Sequence, residues 1–246
     1  MINMPFKAFL KNLLVKFQLP LTRNLRYDIY TKKIIRKVLR KNSSAIDIGC
    51  HKGEILDEIL RFAPNGKHFA FEPLPHLFEF LKSKYEGKQI FLSSIALFDK
   101  KGTTGFNYVV NAPAFSGIRK REYNLPDARI NQLTVETDLL DNIIPESQAI
   151  DFIKIDVEGA EFAVLQGGIK TIQRNKPVII FEFGLGAADF YGSKPAECFS
   201  FLTGTCGLHV STLQGFLNDE NCLDLQQFCD HFAKRTEYYF IAYNPR

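Results

Sequence analysis

Ile153-Lys154-Ile155-Asp156-Val157-Glu158-Gly159-Ala160-Glu161 reads as a strand, a turn and the first residue of a helix. Side chains two apart in a strand share a face, so Lys154 and Asp156 point the same way. Glu158 and Gly159 form the turn at the strand's carboxyl end. Glu161 opens the helix, where its charge is favourable with the helix dipole. Four ionisable groups in an otherwise apolar strand are costly to bury without a purpose. An internal Lys154–Asp156 ion pair and a helix-terminal glutamate account for Lys154 and Glu161. Asp156, at the strand tip, is the candidate for chemistry.

Outward from this stretch the chain alternates short apolar runs with helical stretches. Strands are predicted over 44–48, 68–71, 90–95, 150–155 and 178–183, with helices over 53–62, 74–84 and 160–173 between them. That alternation implies right-handed crossovers and a mainly parallel sheet with helices on both faces. Beyond it come a helix over 195–202, a strand over 208–213, a helix over 223–233 and a strand over 238–242, which supply an antiparallel edge. Residues 98–149 do not fit a crossover. Strand-like 104–110, a polar loop over 111–127 and strand-like 130–137 read as a hairpin and loop inserted over the strand ends, where long loops are usually functional. In that loop Asn111, Ser116, Arg119, Lys120 and Arg121 are candidates to meet a polar acceptor, or form a solvated charged surface.

In an open parallel sheet ligands bind at the carboxyl ends of the strands. The first strand ends in Asp47-Ile48-Gly49-Cys50-His51-Lys52-Gly53. Its two glycines let backbone approach a ligand and expose helix N-terminal amides. Position 51 is His, which departs from the glycine spacing of a dinucleotide site, and no Lys-Ser/Thr completes a P-loop. The second strand ends in Glu72-Pro73, a carboxylate placed for the two hydroxyls of a ribose. Asp47, Gly49, Gly53, Glu72 and Pro73 together describe a nucleoside pocket without a phosphate cradle, which suits S-adenosylmethionine. Glu182, near the tip of the strand over 178–183, is expected beside Asp156. Such a pair can orient a substrate hydroxyl, hold a hard cation, or raise the pKa of one member. A divalent metal is left open on these residues. His51 is either a base or a border of the cofactor.

These residues resemble the FkbM-type S-adenosylmethionine-dependent methyltransferases. The likeness rests on Asp47-Ile48-Gly49 with Gly53, Phe71-Glu72-Pro73, Ala96-Leu97-Phe98-Asp99, Pro177 through Glu182 and, above all, Lys154 through Glu161, and it covers roughly residues 44–185. It implies the class I methyltransferase fold, a Rossmann-like seven-stranded sheet with the last strand antiparallel. It implies methyl transfer to an oxygen, often of a sugar, glycan or secondary metabolite. The 47–53 turn then holds the methionine part, Glu72 the ribose, and Asp156 lies near the methyl group. The first motif departs from the family's usual Gly-Ala-Asn-x-Gly, reading Gly49-Cys50-His51-Lys52-Gly53. A non-catalytic small-molecule-binding module, favoured if Asp156 is engaged with Lys154, and a nucleotide-dependent oxidoreductase are the alternatives.

Charge is segregated. Of the 246 residues, the first 41 carry eleven Lys/Arg against Asp28, a balance of +10 that leaves −6 for the rest. A nucleic-acid enzyme spreads basic residues around its groove as well, so no nucleic-acid partner is expected. Residues 1–41 read as a basic helical extension and 42–246 as the methyltransferase domain. In the extension Phe6, Phe9, Leu10, Leu13, Leu14 and Phe17 make one apolar helical stripe over residues 4–18, suited to peripheral contact with an anionic membrane or to packing on the domain. A second helix is expected over 27–40. No apolar run is long enough to span a bilayer, and Lys7, Lys11 and Lys16 interrupt any signal-like core. Five cysteines without paired spacing are expected as reduced thiols of a cytoplasmic protein.

Overall fold

The structure, a computed structural model, describes residues 22–121, 123, 125 and 127–244. The apolar stripe over residues 4–18 lies outside them. In chain order the elements are α1 (Arg23–Val38), β1 (Ala45–Ile48), α2 (Glu54–Phe62), β2 (His68–Phe71), α3 (Pro75–Lys84), β3 (Ile90–Ser93), β4 (Ala96–Leu97), β5 (Gly102–Val109), β6 (Ile130–Asp138), α4 (Leu140–Ile143), β7 (Phe152–Ile155), α5 (Glu161–Gly167), α6 (Ile169–Asn175), β8 (Val178–Glu182), α7 (Pro195–Ser200), β9 (His209–Thr212), α8 (Leu213–Leu217), α9 (Leu225–Lys234) and β10 (Tyr239–Tyr243).

Seven strands form one sheet in the order β3-β2-β1-β7-β8-β10-β9. The first five run parallel, and β10 lies antiparallel to both β8 and β9. This is the class I methyltransferase arrangement expected from the sequence. The register assembles the site. Ile48 pairs with Phe71 and Ile155, and Ile155 with Phe181. The residues one step further along these strands are Gly49, Glu72, Asp156 and Glu182, all at the same edge of the sheet. Tyr239 joins them because β10 pairs it with Glu182.

Alternation divides the sheet into two apolar faces. Ile46, Ile48, Ile153 and Ile155 face one core with Phe181, Phe183, Phe228 and Phe240. Ala45, Phe152 and Ile180 face the other, against α1 and α2. Asp47 and Lys154, which are register partners, fall on the α1 face. Helix α1 buries Tyr27, Ile34 and Ile35 there, each large aliphatic side chain contributing about 1.5–3 kcal/mol. Thr22 caps it by accepting from the Leu25 N–H at 3.2 Å, and Arg36 and Lys37 sit in its last turn, where the dipole favours cations.

Three details differ from the predicted elements. The helix expected over 160–173 is two, broken at Gly167-Gly168, because glycines hold a helix weakly and the Asp141 carboxylate accepts from the Lys170 and Thr171 amides at 2.8 Å each, starting α6 afresh. The strand expected over 90–95 ends at Ser93. The chain then forms β4, which pairs with β6, so the insertion is a three-stranded sheet β4-β6-β5 and not a hairpin alone. Helix α8 follows β9 directly, capped by the Thr212 side chain. All five cysteines are free thiols, and no helix of the described residues is long and apolar enough to cross a membrane.

Candidate active site

Two cavities open at the carboxyl edge of the sheet. The first, about 540 Å³, is lined among others by Gly49, His51, Glu72, Pro73, Leu97 and Asp156, with Phe106, Ser116 and Ile118 of the insertion over it. The second, about 650 Å³, is lined among others by Tyr27, Arg121, Glu182, Gly184 and Tyr239. Asp28, Ile55, Ala114, Lys154, Asp156 and Glu158 border both. Each volume suits a small-molecule ligand.

The β1 turn requires its glycines. Gly49 has φ +74, and a Cβ there would lie 1.9 Å from the Asp156 carbonyl oxygen, so β1 and β7 end in close apposition only with glycine. Gly53 has φ +78, and its Cβ would meet the Tyr85 hydroxyl at 2.2 Å; that hydroxyl donates to the Gly53 carbonyl at 2.9 Å. Between them His51 takes a left-handed conformation, φ 48, and Glu158 does the same in the β7 turn, φ 59. Non-glycine residues held there carry backbone strain, and the two strained positions face the same cavity.

Glu72 closes the turn. Its two carboxyl oxygens accept from the His51 N–H at 2.9 Å and the Leu74 N–H at 3.0 Å. It is 5% exposed, and burial, opposed by those two amides, pushes its pKa up to about 7. A carboxylate has about four acceptor positions, so two remain for hydroxyl donors. Asp47 and Gly53 do not line either cavity. Asp47 is fully buried with neither oxygen hydrogen-bonded, its Oδ1 4.0 Å from Lys154 Nζ, and burial raises its pKa to about 6.

Asp156 is the hub. Its Oδ2 lies 3.1 Å from Lys154 Nζ and accepts from the Tyr239 hydroxyl at 2.6 Å. Burial works against its charge, but Lys154, with Tyr239 and Glu182 as donors, outweighs burial and holds the carboxyl below its ordinary range. Burial likewise opposes the Lys154 charge, and Asp156 and Asp47 outweigh it, so the ammonium is held above its ordinary range. Glu182 goes the other way. Burial, then the neighbouring Asp156 and Glu161 charges, push it well above the ordinary carboxyl range. Of the pair, Asp156 is therefore held toward the carboxylate and Glu182 toward the carboxylic acid. Glu161 folds back on its own turn, accepting from Val157 N at 3.0 Å and Gly159 N at 3.1 Å, with its pKa raised to about 7 chiefly by burial.

Oxygens of Asp156, Glu158 and Glu182 lie within 4.8 Å of one another, as three ligands of a cation can. Two of the three already have a cation of the chain: Lys154 at Asp156 and Arg121 at Glu158. The donor set fits a resident metal poorly, and no step is derived through one.

Of the insertion residues, Arg121 reaches the second cavity and Ser116 the first. Asn111 instead closes its own loop, bonded to the Asp127 carbonyl and the Arg129 amide, and Arg119 ties the insertion to Tyr191 and Phe190. Sequence reasoning passed over Tyr239, whose place opposite Glu182 depends on β10 register. It also passed over the α1 face carrying Asn24, Tyr27, Asp28 and Thr31. One signal was available: Asp28 is the sole acid in the basic segment.

A 2-O-methyltransferase, NoeI, of Sinorhizobium fredii (strain NBRC 101917 / NGR234) is 24% identical over 163 residues, 59% of this chain and 65% of that protein, so the chain spans just under two thirds of this curated relative. The crystal structure of methyltransferase FkbM from Methylobacillus flagellatus KT superposes with a TM-score of 0.51 at 12% identity, covering 96% of this chain and 59% of that one. The Methyltransferase FkbM domain profile matches residues 47–210, the stretch that holds the turn after β1, Glu72, Asp156 and Glu182. The chain belongs to the FkbM methyltransferase family.

Proposed function

We propose that the protein is an S-adenosylmethionine-dependent O-methyltransferase acting on a hydroxyl of a sugar, glycan or secondary metabolite. The observation that carries this reading is Asp156, a carboxylate at the tip of β7 that borders both cavities. The first cavity fits the cofactor: a close-approach glycine turn, a buried Glu72 with acceptor positions to spare, and apolar walls at Phe71, Leu74 and Leu97. Gly49 and His51 backbone face the amino-acid end, and Glu72 with Pro73 the ribose.

S-adenosylmethionine supplies an electrophilic methyl on a sulfonium. The chain's task is alignment and removal of the hydroxyl proton. Asp156 Oδ accepts a hydrogen bond from the acceptor hydroxyl and turns its oxygen lone pair toward the first cavity. With the cofactor bound, its sulfonium would supply the methyl group and keep the S–C electron pair, and Asp156 would take the proton that the acceptor hydroxyl gives up. An oxygen gaining a methyl group becomes far more acidic than a carboxylic acid, so even a carboxyl below its ordinary range can take that proton. Lys154 keeps Asp156 ionised beforehand, and Glu182 and Tyr239 fix its orientation. His51 touches only the first cavity, which supports a cofactor-bordering role over that of base. The Lys154–Asp156 contact is the one observation favouring a non-catalytic module. Lys154 and Tyr239 occupy one oxygen, however, and a carboxylate retains further acceptor positions.

This reading includes a cytoplasmic enzyme held peripherally at an anionic membrane surface by residues 4–18. Calorimetric titration tests its centre. S-adenosylmethionine and S-adenosylhomocysteine are expected to bind at micromolar concentration, and Glu72→Ala to weaken both at least tenfold, about 1.4 kcal/mol. Binding of NAD in their place, or of neither sulfur ligand, would overturn it.

A further inference from the structure

The two cavities differ in origin. Among the described residues 25 line the first, and of these only Asp28 and Lys32 fall outside the family-matched span 47–210. Of the 20 lining the second, ten do, and they come from two places: the α1 face of Arg23, Asn24, Tyr27, Asp28 and Thr31, and the stretch from Phe232 to Tyr239. These two pieces are clasped together. Arg26 binds the Glu237 carboxylate at 2.9 and 3.2 Å, the Tyr27 hydroxyl also donates to Glu237, and Arg23 donates to the Arg235 carbonyl at 2.8 Å. The Tyr27 ring packs against Tyr238 and Tyr239 at centroid distances of 4.8 and 4.9 Å. Helix α1 is thus one wall of a compartment whose floor is Asp156 and Glu182.

Resting on the methyltransferase reading above, we infer that this second cavity is the acceptor compartment, that α1 and the 235–239 stretch are its specificity wall, and that it takes a neutral carbohydrate ring. The lining chemistry selects that class. Half-buried rings of Phe115, Tyr238 and Tyr239 offer flat faces for the C–H face of a pyranose. Beside them the charges come in pairs, Arg121 with Glu158 and Lys154 with Asp156. A hydroxyl both donates and accepts, so a polyol satisfies carboxylate and guanidinium together, whereas an apolar acceptor desolvates both without return. The lining acids Asp28, Asp156, Glu158, Glu182 and Glu237 stand against the cations Arg23, Arg121, Lys154 and Arg235, so the cavity has no cationic surplus to draw a polyanion such as a nucleic-acid strand. The family's chemistry therefore sits in the matched span, and acceptor choice in the flanks outside it.

Saturation-transfer NMR on the full chain, saturated with S-adenosylhomocysteine, tests this with methyl glycosides of a neutral hexose, a 6-deoxyhexose and a hexuronic acid. At least one neutral glycoside is expected to receive saturation. Asn24→Trp at the rim and Leu185→Trp on the facing wall should each cut that signal at least fivefold. Their thermal midpoints and S-adenosylhomocysteine affinity (within twofold) should be retained, and two variants guard against misfolding of one. Signal from the hexuronic acid alone, no glycoside signal with S-adenosylhomocysteine bound, or a signal unchanged in both folded variants would overturn the acceptor assignment while leaving the methyltransferase reading intact. Failure of S-adenosylhomocysteine to bind would instead remove that reading, and this inference with it.

Discussion

Glu72 illustrates how one side chain ties cofactor affinity to pH. Its carboxyl is buried beneath the β1 turn, which raises its pKa from 4.5 to about 7. The sign differs for folding and for binding. A raised folded pKa means the fold is favoured by the protonated acid, a contribution present below about pH 4.5 and lost as pH rises through about 7. Ribose hydroxyls, by contrast, donate to the carboxylate, so ligand binding strengthens as pH rises through the same value. Affinity for S-adenosylhomocysteine is therefore expected to fall roughly tenfold from about pH 8 to about pH 6, as ionised Glu72 becomes the minor form. In Glu72→Gln the dependence should flatten and affinity should stay low at both ends. Titration calorimetry at three pH values checks this. A wild-type affinity independent of pH would mean that Glu72 does not receive the ribose.

At the scale of elements, α1 is held by a few polar contacts at its start and by apolar packing along its middle. Glu237 is the centre of the polar set, accepting from both Arg26 and Tyr27. Truncating it in Glu237→Ala leaves a guanidinium and a phenol without their partner, at a cost of about 1–3 kcal/mol. Denaturant unfolding should read that loss. Hydrogen exchange should quicken in the first two turns of α1 more than around Ile34 and Ile35, which remain packed on the sheet. Equal acceleration along the helix would contradict a local clasp. What the sequence revealed and what it withheld follow the same division. Strands β1, β2, β7 and β8 were legible because strands buried on both faces are short apolar runs, and Glu72 and Asp156 were legible because they end such runs. Strand β4 has two residues, too few for any period. Tyr239 sits in an apolar strand one place in from the sheet edge, with nothing to mark it, and its hydrogen bond to Asp156 arises from antiparallel pairing across β8. The wall made by α1 is likewise a long-range fact: positions 23 to 27 meet residues more than two hundred places later.

The whole molecule separates its charge as it separates its tasks. The first 41 residues carry +10 and the remainder −6, while the proposed catalytic and cofactor positions lie in the acidic part. On α1 the side away from the sheet exposes Lys33, Arg36 and Lys37, of which Lys37 pairs with Asp219 at 2.8 Å. The start of the same helix, at Arg23 and Asn24, borders the second cavity, and the chain before it carries Lys7, Lys11 and Lys16 among six regularly spaced apolar residues. Basic charge near an anionic bilayer contributes about 1 kcal/mol per residue at close range, and apolar side chains supply the rest. The intact chain is therefore expected to sediment with vesicles of about 30% phosphatidylglycerol in about 0.1 M salt, and not with phosphatidylcholine alone. Raising salt to about 0.5 M should weaken the association, since screening shortens the reach of exposed charges. Deleting residues 1–20 should abolish it while leaving S-adenosylhomocysteine binding in place, because the described residues lining the first cavity all follow position 27. If the intact chain ignores anionic vesicles, membrane contact through residues 4–18 is excluded. The basic segment then serves the protein only through α1, as a wall of the cavity and a cover for the sheet.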